Sequence, residues 1–199
     1  MLFIAAYLAP VWGETPAPAA TNVMHWAILY EEDSSNPYGM RYGGSATWRT
    51  EQVSPDQPQE VAIRADVEIP ERKLVVTWSL RRETNKRSPA SHLIEVGFRL
   101  PPDFPPGEIV HVPGVLMKTN ESARGAPLIG HVVKVISNVY LIGLTSADAD
   151  RENNLRLLRE RGWFDIPIVY SDKRRAIITM EKGASGERAF AEAFAAWKQ

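Results

Sequence analysis

The sequence predicts an α+β domain: a mainly antiparallel, strongly twisted β-sheet or two-sheet sandwich of roughly eight to ten strands, closed by two helices with the C-terminal one packed on the sheet. Three observations predict it. Apolar and polar side chains alternate through residues 60–100 in three successive runs. Proline, glycine and Asn/Asp clusters separate those runs at short intervals. Apolar spacing then changes from two to three and four over residues 185–197, which marks an amphipathic helix.

Taken in order, residues 25–31 (HWAILYE) read as a short strand and residues 32–39 (EDSSNPYG) as turn chemistry throughout. A second strand is expected over residues 45–53, with Ala46 and Trp48 on one face and Arg49 and Glu51 on the other, ending at Pro55, Asp56 and Pro58. Val61, Ile63, Ala65, Val67 and Ile69 then share one face, opposed by Glu60, Arg64, Asp66 and Glu68. After a turn at Pro70-Glu71-Arg72, Leu74, Val76, Trp78 and Leu80 face inward. Beyond a polar loop, Ile94, Val96, Phe98 and Leu100 repeat the pattern. A meander with one dry and one wet face has this signature, and slipping it by one residue would put a whole apolar row in water. The Pro-rich run Pro101-Pro102-Asp103-Phe104-Pro105-Pro106-Gly107 lacks donors for sheet pairing. A strand bent at Pro113-Gly114 is expected over residues 109–117, and two strands divided by Asn138 over residues 128–144. The second of these, Val139–Leu144, is apolar on both sides, which suits a central strand covered on both faces or one buried under a helix.

A helix is expected from about Ser146. Thr145 and Asp148 have capping-box spacing, Leu155 and Leu158 supply an apolar stripe, Glu152 can pair with Arg156, and Gly162 can close the C-terminus. Residues 164–170 and 175–180 read as strands around Ser171-Asp172-Lys173. In the final helix Ser185 is the expected cap, and Ala189, Phe190, Ala193, Phe194 and Trp197 form the buried face.

The chain has 199 residues, of which 44% are hydrophobic and 24% charged, so it is long enough to bury a core as one domain. Its 23 basic and 24 acidic side chains leave a net charge of −1, which gives no electrostatic footprint for nucleic acid. Cysteine is absent; disulfides, thiolate nucleophiles, iron–sulfur clusters and Cys-type zinc sites are excluded. Residues 2–12 (LFIAAYLAPVW) are apolar and are followed by a Pro/Ala spacer with Ala17-Pro18-Ala19 as a cleavage-like site. Residues 1–22 therefore read as a signal or anchor remnant and tether, or as the tail of a longer anchor, and residues 23–199 as a single α+β domain. An apolar terminus on a cytoplasmic protein is the plainer alternative.

No residue pattern names a reaction. The four histidines, His25, His92, His111 and His131, have no helical metal-pair spacing; His111 and His131 would converge only if their strands paired. Nucleophile-elbow, P-loop and dinucleotide-binding patterns do not occur. Asp148, Asp150 and Glu152 resemble part of a calcium loop but lack its glycine, and read as a helix-start charge cluster. Two basic clusters, Arg81, Arg82, Lys86 and Arg87, and Lys173, Arg174 and Arg175, are candidate anion or partner contacts if their hairpin tips converge. Solvated turns are the bland alternative. Trp48, Trp78 and Trp197 fall at inward positions and are expected to pack.

Several stretches carry a resemblance: residues 65–72 (ADVEIPER), 101–104 (PPDF), 112–118 (VPGVLMK), 163–170 (WFDIPIVY) and 181–197. Together they resemble an uncharacterised bacterial family whose members carry an N-terminal membrane segment and a Pro/Ala-rich linker before a periplasmic-type α+β domain. The likeness covers about residues 25–198, nearly the whole domain. It implies an anchored, periplasmic placement and no activity. The closing strand–Gly–helix unit is also similar to the end of the invasion-associated-locus-B-like periplasmic proteins.

The expected function is a non-catalytic cell-envelope domain, an interaction or structural module for another envelope protein or cell-wall polymer. No cofactor or metal is expected, and contact with the membrane is expected only through the N-terminus. The alternative is a small-ligand or lipid-binding β domain with a pocket between sheet and C-terminal helix, lined by Phe98, Leu141 and Phe194. The expected location is the periplasm or the inner membrane, with the cytoplasm as alternative.

Overall fold

A computed structural model of the chain describes residues 25–53 and 60–198, so the signal or anchor reading of residues 1–22 and the strand end at Pro55–Pro58 lie outside the described residues. The rest is one antiparallel sheet with two helices, an α+β fold. Its strands are β1 (His25–Asp33), β2 (Asn36–Gln52), β3 (Val61–Ile69), β4 (Leu74–Arg82), β5 (Ala90–Arg99), β6 (Ile109–His111), β7 (Leu116–Lys118), β8 (Ala126–Pro127), β9 (Gly130–Ile136), β10 (Val139–Thr145), β11 (Trp163–Tyr170) and β12 (Arg175–Glu181). The helices are α1 (Asp148–Glu160) and α2 (Gly183–Ala196).

The sheet order is β8-β7-β11-β12-β1-β2-β3-β4-β5-β10-β9, with β6 also on β11. The end strands β8 and β9 are separated in the chain by only Leu128 and Ile129, so connectivity itself draws the two edges together and the sheet curls into a half-barrel. β6 ties the curl at one end. Ile109 pairs opposite Tyr170, its N–H donates to Asn138 Oδ1 at 2.9 Å, and its carbonyl accepts Tyr140 O–H at 2.9 Å.

The core fills the concave face. Val67, Ile69, Val76, Trp78, Leu80, Ile94 and Val96 are buried, as the alternation requires. Under α2 the aromatic rings meet edge to face, tilted or stacked: Trp48 lies 5.4 Å from Trp78 and from Phe164, Trp78 lies 6.2 Å from Phe190, and Phe194 lies 5.3 Å from Trp197. The indole N–H groups of Trp48 and Trp197 donate to the carbonyls of Glu181 and Val61, which fixes both rings and ties α2 to the sheet.

Three expectations about the strands change. The turn at residues 32–39 is tighter, because β2 begins at Asn36. Asn36 Nδ2 donates to Gly39 O at 2.8 Å, and Gly39 sits at φ +68° where an added Cβ would lie 2.5 Å from the Glu31 carbonyl, so these polar residues extend a bulged hairpin. The strand over residues 109–117 divides into β6 and β7, with Pro113-Gly114 between them and Gly114 at φ +153°. Strand β10 is buried on one face only: Tyr140, Ile142 and Leu144 point inward, while Val139, Leu141 and Gly143 stay half-buried beside the edge strand β9.

Helix capping also differs from expectation. α1 starts after Ala147 with no side-chain cap; Thr145 Oγ1 accepts the Ala147 N–H at 3.2 Å instead. It ends at Arg161 in extended geometry rather than at Gly162, and Arg156 pairs with Glu160 at 3.3 Å rather than with Glu152. In α2, Ser185 is not the cap but a buried residue of the first turn, and its N–H donates to His25 Nε2 at 3.3 Å. Gly183, at φ +51°, makes room for this contact, since any Cβ there would fall inside the His25 ring.

Candidate functional site

Strand direction decides where the basic clusters lie. Every neighbour in the sheet is antiparallel, so β12, β2 and β4 run one way and β1, β3 and β5 the other. The β11–β12 turn carrying Lys173, Arg174 and Arg175 is therefore at the end where β12 and β4 begin. The loop after β4, with Arg81, Arg82, Lys86 and Arg87, is at the opposite end. The two groups do not converge. Three of the seven are engaged locally: Arg174 Nε donates to Asp172 at 2.6 Å, Arg175 Nε to Glu32 at 2.6 Å, and Arg82 to the Trp197 carbonyl at 3.3 Å, while Lys86 and Arg87 are exposed.

The histidines also stay apart. His111 is exposed on β6 and His131 is exposed on β9; His92 is buried 5.1 Å from the Trp197 ring, and His25 holds the start of α2. Among the described residues no group of three or more His, Asp and Glu side chains could hold a metal ion.

Polar chemistry concentrates in three networks that composition could not reveal. At one end of the curl, Glu31 is buried, with Oε2 3.1 Å from Arg72 Nη2 and Oε1 accepting the Tyr170 hydroxyl at 2.7 Å. Burial, followed by this bond to the Glu31 carboxylate, holds the Tyr170 phenol far above its ordinary range. On the outer face, buried Lys118 lies 2.7 Å from Asp165 Oδ1, and the same oxygen accepts the Thr179 hydroxyl at 2.6 Å. Lys118 also donates to the Glu121 carbonyl at 2.6 Å, which pins the loop between β7 and β8 across the sheet. The Glu121 carboxylate then accepts the Tyr30 hydroxyl at 2.5 Å and lies 3.5 Å from Arg41. In these two networks the charged groups are paired with one another.

Lys182 forms the third. It is 0% exposed, donates from Nζ to the Leu158 carbonyl at 2.6 Å, and lies 4.2 Å above the Phe190 ring. Glu187 stands 3.9 Å away. The lysine thus joins the C-terminal carbonyls of α1 to the start of α2. Burial pulls its pKa down to about 8, against the pull of Glu187. A base depressed in the folded state binds fewer protons there than in the unfolded chain. Its contribution to stability therefore rises as pH climbs from about 8 through the unfolded value near 10.4, by roughly 3 kcal/mol. The neutral amine still donates to Leu158, so the bond survives deprotonation. Urea midpoints taken from pH 7 to 10.5 are expected to rise in the wild type relative to Lys182→Met, and parallel profiles would refute this assignment.

Among the described residues two mainly apolar grooves open on the convex side, beside a third of about 510 Å³ that carries Asp66, Glu68 and Arg99. One, of about 430 Å³, lies over β1, β11 and β12 and is lined by Tyr30, Pro37, Tyr38, Pro113, Pro167 and Ile177. Tyr38 stands 96% exposed at its rim. The other, of about 560 Å³, lies over β5, β10 and β9 and is lined by Ala90, Leu93, Ile129, Val133, Leu141 and Gly143. Phe98 and Phe194 are buried inside while Leu141 faces this outer groove, so these three residues do not line one pocket.

Among the described residues no helix is long and apolar enough to cross a membrane. No family, no curated protein and no solved structure matches the chain.

Proposed function

We propose that the chain is a non-catalytic cell-envelope domain, periplasmic or held at the inner membrane, that works as an interaction module for another envelope protein or a cell-wall polymer. One observation carries the reading: Lys118, Asp165 and the Glu121 loop are tied to one another on the outer face, while apolar side chains stand open in the two mainly apolar convex grooves. The apolar run at residues 2–12, the Pro/Ala spacer and the family resemblance support the placement. The basic residues Arg81, Arg82, Lys86 and Arg87, and Lys173, Arg174 and Arg175, serve in this reading as two separate rim contacts at opposite ends rather than as one anion grip.

A second reading, a small-ligand or lipid-binding domain, is favoured by the size of the groove at Tyr30, whose 430 Å³ falls within the usual span of ligand pockets. Its place is the outer face, because aromatic rings occupy the space between sheet and α2.

Fractionation of cells carrying the full chain with a C-terminal tag tests the placement. Recovery with the envelope, reached by added protease once the outer membrane is opened, is expected; a cytosolic pool retaining residue 1 overturns it. A photo-crosslinking residue at Tyr38 tests the module: a discrete higher-mass adduct in cells supports it, and none counts against it.

A further inference from the structure

We propose that β9 is a docking edge for a second copy of this chain, the two β9 strands pairing antiparallel about Val133. Among the described residues β9 has one sheet neighbour, β10. Its side chains are unusually apolar for an open edge: Val133 is 50% exposed, Val135 56% and Ile136 65%, and the strand carries no proline and one lysine. Edge strands left this way offer a row of unpaired main-chain groups, which selects a strand, rather than a helix or a lipid, as the occupant.

The register identifies which groups are free. Thr145 N–H donates to the Ile129 carbonyl at 3.1 Å, and His131 and Val133 stand opposite Gly143 and Leu141. Ile129, His131 and Val133 therefore turn their main-chain groups toward β10, and Gly130, Val132 and Lys134 turn theirs outward, while Val135 is the extra residue of a bulge. Two copies paired about Val133 set Val132 opposite Lys134 of the second copy, so the outward-turned residues meet as hydrogen-bonded pairs. Val133 then meets Val133 of the second copy at the closer, non-hydrogen-bonded position, where β-branched pairs are favourable. Pairing about Lys134 would set lysine against lysine; the Val133 register avoids this. The strand is thus self-complementary in hydrogen bonding, in apolar contact and in charge, and a net charge of −1 gives little repulsion between copies. A seven-residue strand spans only about 24 Å, so the dimer is small and reversible.

The absence of cysteine makes the register directly testable. In the full chain carrying Val133→Cys, the two thiols meet with Cα atoms about 4.5 Å apart, within disulfide range. Oxidation is expected to link this variant into dimers at least about tenfold faster than Val135→Cys, whose cross-strand neighbour is His131 of the second copy. This comparison separates β9 pairing from any association through the apolar N-terminus, which would link both variants alike. Sedimentation equilibrium of the wild type from roughly 5 to 500 µM should show a mean mass rising above 22.3 kDa, and Val133→Lys should stay at single-chain mass with an unchanged circular dichroism spectrum. Equal linking rates for the two cysteine variants, or single-chain mass for the wild type throughout, overturns the proposal. Pairing of β9 with another protein's strand alone would give that second result.

Discussion

Trp78→Ala is expected to lower the free energy of unfolding by about 3–5 kcal/mol, the range for truncating a large buried aromatic side chain. Trp78 is 0% exposed on β4, at the centre of the ring cluster, 5.4 Å from Trp48 and 5.3 Å from Phe164. Its indole N–H has no hydrogen-bond partner among the described residues, so the loss is one of packing and cavity formation rather than of a polar contact. Trp78→Phe, which removes less volume, should accordingly cost about 1–2 kcal/mol. Urea unfolding with an unchanged slope reads both numbers. A loss below about 1 kcal/mol for the alanine variant would mean that the rings do not interlock as described.

Glu31→Ala is expected to cost a similar amount for a different reason. The carboxylate neutralises Arg72, whose guanidinium sits 4.7 Å from the Phe104 ring centroid and 5.1 Å from that of Tyr42. Removing Glu31 strands this largely buried cation and takes away the acceptor of the Tyr170 hydroxyl, a change worth about 3–5 kcal/mol where a buried pair is broken from one side. The double variant Glu31→Ala/Arg72→Met should recover a large part of the loss, because no charge is then left behind. If the double variant is as unstable as the sum of the two single variants, the pair is not coupled and the network carries no such role.

The difference between these sites shows what local pattern encodes. Val61 to Ile69, Leu74 to Leu80 and Ile94 to Phe98 declare their faces because a strand's period is two and one face is dry; Trp48 and Trp78 were readable as core for the same reason, and Phe190 and Trp197 from the three- and four-residue spacing of a helix face. Glu31, Lys118 and Lys182 were not. A charged residue is ordinarily on the surface, and only non-local partners make its burial tolerable: Tyr170 for Glu31, Asp165 for Lys118, the Leu158 carbonyl for Lys182. His25 and Ser185 meet across 160 positions of sequence, so capping chemistry near the helix could not reveal the imidazole that completes it. Strand β10 misled in the other direction: Val139–Leu144 is apolar on both sides and reads as covered, yet its outer face stays half-buried beside the edge strand β9, and side-chain type carries no information about strand order. The two basic hairpin tips could be recognised as clusters, but their separation follows from the direction of each strand in the assembled sheet.

Strand β1 pairs on one side with β2, which follows it directly, and on the other with β12, so that Ala27 lies opposite Met180. A nascent chain emerging from the ribosome at roughly 5–20 residues per second delivers residue 181 some 7–30 s after residue 33. Throughout that interval the flank of β1 that will receive β12 has nothing to zip to, and an apolar Ala27-Ile28-Leu29 ribbon is offered to every other unfinished polypeptide nearby. The second flank of β1 is therefore closed only once the last strand has been made.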